Sequence, residues 1–127
     1  MKPVYPYFLC LVLMVAGCAS FADIRQSEPV KSLFITESAT KEIAMCAAFK
    51  MKEINPSSSV IEIDGEFFLS ITSVGAAGNW AIAEITFKPK DKGTLIEMRQ
   101  YAWMASWQGS GIWDPVVKCA ASLKQPR

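Results

Sequence analysis

Hydrophobic and polar positions change period several times along this chain, and each change predicts an element. Ser38 to Glu53 reads as a helix, since strong helix formers fill it and Ile43, Ala47, Met51 and Ile54 recur at helical spacing. Ser38 is placed to cap that helix, and Asn55-Pro56 stops it. Ser32 to Thr36, just before it, reads as a short strand. Beyond residue 58 the period falls to two. Ser59 to Asp64 and Glu66 to Thr72 flank Asp64-Gly65, a pair suited to a tight hairpin, with Phe67, Leu69 and Ile71 on one face and Phe68, Ser70 and Thr72 on the other. A glycine-rich connection, Ser73 to Asn79, leads to Trp80 through Phe87, where Ala81, Ala83, Ile85 and Phe87 alternate with Trp80, Ile82, Glu84 and Thr86. The turn Lys88 to Gly93 then reverses the chain into Thr94 through about Trp103. After the loop Gln108 to Gly111, Asp114 and Pro115 form a helix start, a capping carboxylate followed by a ring that needs no N–H there, and Val116 to about Leu123 is the helix. The predicted fold is α+β: a two-layer sandwich in which a four-stranded antiparallel meander carries an N-terminal and a C-terminal helix on one face.

The apolar run Tyr7 to Val15 stands apart from these periods. It is about half of the roughly 20 residues a membrane-spanning helix needs, it follows Met1-Lys2, and it ends in small residues, as an export leader does. The sequence Val15-Ala16-Gly17-Cys18 resembles the lipobox of bacterial lipoproteins, an aliphatic residue and two small ones before an obligatory cysteine. Cys10 does not fit, because Phe8 and Leu9 are bulky. The resemblance covers only about the first eighteen residues. It implies cleavage after Gly17, a thioether-linked diacylglyceryl group on Cys18, and anchoring by several acyl chains, which hold far better than one. Ala19, where enterobacterial lipoproteins retained at the inner membrane usually carry Asp, implies an outer-membrane address facing the periplasm. A competing cut after Ala22, where Ser20-Phe21-Ala22 offers small-x-small, would release a soluble periplasmic protein. Residues 1–17 are accordingly expected to be a signal peptide, 18–31 a lipidated cysteine and flexible tether, and 32–127 one small domain.

Composition narrows the function by exclusion. Of 127 residues, 13 are Lys or Arg and 12 are Asp or Glu, and Lys2 alone among them lies in the leader, so no field favours nucleic acid. No histidine occurs, which removes the commonest general base and zinc ligand and rules out a Ser-His-Asp triad. Gly75 to Gly78 lacks the Lys-Ser or Lys-Thr of a phosphate loop, and Gly109-Ser110-Gly111 lacks the third glycine of a dinucleotide fingerprint. The carboxylates Glu62, Asp64, Glu66, Glu84 and Glu97 fall at strand and turn positions where solvated side chains are expected. Lys88, Lys90 and Lys92 read as a solvated hairpin tip. No cofactor, no metal and no enzymatic activity are expected.

With Cys18 acylated, Cys46 and Cys119 remain, one on each predicted helix. Two thiols in an oxidising compartment usually pair, so a structural disulfide is expected. The densest unusual feature is the aromatic group Tyr101, Trp103, Trp107 and Trp113. It serves either to close one end of the core or as a partner-binding surface, since Trp and Tyr bury large area and keep a polar handle. The resulting expectation is a lipid-anchored envelope protein acting as a non-catalytic interaction module for an envelope protein partner. Its alternative is a periplasmic module that binds or senses a small apolar or glycan ligand.

Overall fold

The computed structural model describes residues 24–75, 78–100 and 109–123. Its elements are β1 (Lys31–Ile35), α1 (Thr40–Ile54), β2 (Ser59–Ile63), β3 (Glu66–Gly75), β4 (Gly78–Lys90), β5 (Gly93–Gln100) and α2 (Gly109–Ser122). The strands form one sheet in the order β1-β5-β4-β3-β2, with every neighbouring pair antiparallel. The α+β class and the meander of β2 to β5 are as expected, but the sheet has five strands rather than four. The fifth is β1, which pairs with β5 from Lys31↔Met98 to Ile35↔Thr94. Its short, half-exposed sequence carries little period of its own, so it is defined by the neighbour it finds. Gly93 permits this pairing: a Cβ there would overlap the Ile35 carbonyl oxygen and crowd the Phe34 ring.

The core lies between the sheet and the two helices. Phe67, Leu69, Ile71, Ile85, Phe87, Ile96 and Met98 from the strands meet Ile43, Ala47 and Met51 of α1 and Ile112, Val116 and Ala120 of α2. The stripe expected on α1 is therefore the buried one, apart from Ile54, which is exposed. The alternation expected for β4 does not hold around Ile82. Between the pairs Ile71↔Ala83 and Thr72↔Ala81 the register shifts, leaving Ile82 as the extra residue of a bulge. Ile82 thereby joins the core instead of sharing the far face with Glu84.

Several boundaries differ from the sequence reading for local reasons. β3 and β4 continue through most of the glycine-rich stretch to Gly75↔Gly78, because cross-strand bonds sustain extended backbone where side-chain pattern gives no signal. The hairpin tip after β4 is only Asp91-Lys92, both with positive φ. α1 begins at Thr40 after Ala39, which makes no side-chain cap. The Ser38 hydroxyl instead bridges the Ile35 carbonyl at 3.0 Å and the Thr94 hydroxyl at 2.9 Å, and Thr40 meets the same Thr94 group at 2.8 Å. These bonds satisfy a fully buried threonine and tie the start of α1 to β5. α2 begins at Gly109, so Pro115 lies inside the helix rather than at its start. The Gly111 carbonyl loses its helical partner there, at an exposed residue.

Candidate interaction surface

The helices place Cys46 and Cys119 opposite each other. Their Cα atoms are 5.9 Å apart and the sulfurs stand at disulfide distance, across 73 residues of sequence. Cys119 is fully buried, and the pair joins the two helices that cover the core. Cys18, Tyr101, Trp103 and Trp107 lie outside the described residues. Trp113, on α2, is half-buried and packs against the core cluster. Among the described residues no group of three or more Cys, Asp or Glu is placed to hold a metal ion, and no helix is long and apolar enough to cross a membrane.

The sheet face away from the helices is organised by a charge. Glu84, expected on the solvated surface, is fully buried. Arg25 reaches it from 59 residues earlier with both ends of its fork, Nε to Oε1 at 2.7 Å and Nη2 to Oε2 at 2.9 Å. Ser70 donates to Oε2 at 3.4 Å, and the guanidinium lies over the Phe68 ring, 4.9 Å from its centroid. The hydrogen bonds that Arg25 donates to Glu84 are the main cause that raises the Arg25 pKa, against a smaller lowering by burial and with a further raising by the charge of Glu84. Arg25 is therefore a permanent cation, and Glu84 has both oxygens engaged. The two form a bidentate, charge-assisted ion pair.

The described part of the expected tether, Ile24 to Val30, follows Arg25 across this face. Ile24 is buried. Arg99 donates to the Ser27 carbonyl at 3.0 Å, and Val30 N–H donates to the Met98 carbonyl at 2.8 Å. Glu97 sits between Arg99 at 3.6 Å and Lys88 at 3.8 Å. Lys88 is thereby half-buried in an ion pair, not part of a free basic tip.

Against this well-partnered face, the edge formed by α1 and β2 is open and apolar. A groove of about 420 Å³ runs between them, lined by Met45, Ala48, Phe49, Lys52, Ser58, Val60 and Leu69 among others. Phe49 is 72% exposed and Met45 47%, and on the other side of the same edge strand Ile61 is 47% and Ile63 45% exposed. Exposed apolar side chains occur singly on any protein; here they converge on one edge, the pattern of a contact surface. Ser58 adds a polar atom to the groove wall: it is 1% exposed and its hydroxyl has no hydrogen-bond partner among the described residues. No protein-family model, curated protein or solved structure matches this chain.

Sequence reasoning passed over this surface although part of it was legible. Met45, Phe49 and Lys52 recur at helical spacing, four and then three residues apart, beside the buried stripe of Ile43, Ala47 and Met51. Val60, Ile61 and Ile63 put apolar residues on both faces of β2, which a half-buried central strand with a solvated face would not do. The Arg25–Glu84 pair had no such signal, because nothing in the sequence joins positions that far apart.

Proposed function

We propose that this chain is a non-catalytic interaction module of the bacterial cell envelope, anchored by lipid at Cys18 and docking its partner on the surface built by α1 and β2. The observation that carries the docking site is Phe49, a large aromatic side chain left mostly in solvent at the mouth of an apolar groove. Buried aromatic anchors supply most of the energy in protein interfaces, so leaving one exposed on a free domain is costly unless a partner covers it. The lipobox-like Val15-Ala16-Gly17-Cys18 supports the anchor. The engagement of both Glu84 oxygens by Arg25 supports a role other than carboxylate catalysis. The groove's openness favours a macromolecular partner over a small apolar ligand, whose surface a pocket would mostly enclose.

Two measurements test this reading. A photoreactive amino acid at position 49 of the full chain, expressed in the bacterial envelope, is expected to give a discrete protein adduct that the same probe at the exposed Lys118 does not. Absence of any position-49 adduct overturns the docking site. Palmitate labelling is expected to be lost in Cys18→Ser, and retained label overturns the anchor.

A further inference from the structure

We infer that the occupant of this surface is a second copy of the chain, the two β2 strands pairing antiparallel about a two-fold axis through Ile61. The inference rests on the interaction reading above and names its partner. It begins with the hairpin. Asp64-Gly65 is a two-residue turn closed by the pair Ile63↔Glu66, and such a closing pair exchanges both backbone hydrogen bonds. Ile63, Ile61 and Ser59 therefore direct their N–H and C=O groups to β3, while Val60 and Glu62 present theirs at the free edge.

Natural sheets usually guard a free edge with Lys, Pro or a bulge. At the other edge, β1 starts at Lys31 directly after Pro29 and Val30. Ser59–Ile63 contains neither Lys nor Pro and pairs with β3 without a register shift. It is the less guarded edge, and apolar residues flank it on both faces.

Only registers that set an outward-facing residue against another form backbone bonds. Glu62 against Glu62 would oppose like charges. Val60 against Val60 would leave Ile61 facing Ser59. Val60 against Glu62 sets Ile61 against Ile61 on the face it shares with Phe68, a favourable β-branched pair. It also sets Glu62, on the helix side with Phe67, next to Val60 of the second copy. Val60 and Lys52 line the same groove, so the register brings each Glu62 carboxylate toward the cation in the other copy's groove wall. Lys52 is exposed, and among the described residues it donates to the Pro56 carbonyl at 3.2 Å. The same pairing brings the apolar side chains of both grooves together: Phe49 and Met45 of each copy flank the joined strands.

Cysteine crosslinking of the full chain in cells tests the register. Ile61→Cys is expected to form a self-linked dimer under a mild oxidant, with the 61–61 peptide identified by mass spectrometry. Ile63→Cys and Phe34→Cys, whose native residues are about as exposed at 45% and 41%, are expected to link about tenfold less, since residue 63 lies roughly 13 Å along the strand from its own copy. Adding Lys52→Glu to Ile61→Cys is expected to lower linking about tenfold, and adding Glu62→Lys to that variant to restore it. Equal linking at all three cysteine positions, or Ile61→Cys linked to a different protein, overturns the second copy as occupant. If position 49 still gives an adduct with another protein, the interaction reading stands while the self-pairing fails. Absence of adducts at both positions removes both.

Discussion

On the face of the sheet that carries the helices, Phe67, Leu69, Ile85, Phe87, Ile96 and Met98 are buried against apolar side chains of α1 and α2. On the opposite face the side chain at the centre is Glu84, no less buried, held by an arginine from the segment before β1. At their centres the two faces are equally buried, by different chemistry. An apolar side chain gains from any close neighbour, so the helix face is held by many interchangeable contacts. A buried carboxylate is tolerable only with its charge answered and its oxygens bonded, so the other face depends on Arg25 being in place.

The contrast is strongest where a single deletion is expected to cost most. Phe87→Ala on the helix face is expected to lower unfolding free energy by about 3–5 kcal/mol, measured by urea denaturation followed by tryptophan fluorescence. A loss under about 1 kcal/mol would show that this face is loosely packed. Reducing the Cys46–Cys119 bridge acts on the same layer through the unfolded chain. It is expected to cost about 2–4 kcal/mol, read as a lower melting temperature with reductant than without. No shift in the wild type, or an equal shift in Cys46→Ser/Cys119→Ser, would remove the bridge from the account.

The far face is tested by a pair of substitutions with opposite expectations. Arg25→Ala strands the Glu84 carboxylate and is expected to cost about 1–3 kcal/mol, discounted because Arg25 is itself 39% exposed. Glu84→Met removes the charge with its need for a partner, and is expected to change stability by less than about 1 kcal/mol. If Glu84→Met proves the more damaging of the two, the ionic pair stabilises the face outright and the contrast between faces collapses. The smallest effect is expected at the open edge. Phe49→Ser should leave stability within about 0.5 kcal/mol while abolishing crosslinking from Ile61→Cys. A large stability loss would assign Phe49 to packing instead of contact.

The period of the sequence carried the helix, read as Ser38 to Glu53 and observed at Thr40–Ile54, and the alternation of Phe67, Leu69 and Ile71, because a 3.6- or 2-residue repeat is a property of neighbouring positions. It also carried the Asp64-Gly65 turn, whose positive φ values at Asp64 and Gly65 these residues tolerate. It missed Ile82, since a bulge shifts register without altering composition. It missed β1 as a full member of the sheet, since an edge strand takes its definition from the strand beside it.

What the sequence determined by itself was the kind and order of elements and which stripe of α1 faces inward, as these follow from local spacing. Tertiary structure alone decided that Glu84 is buried and paired with Arg25, and that Phe49 and Ile61 stay in solvent. Burial depends on which distant segment settles over a face, and that is a property of the assembled layers, not of any stretch of neighbours.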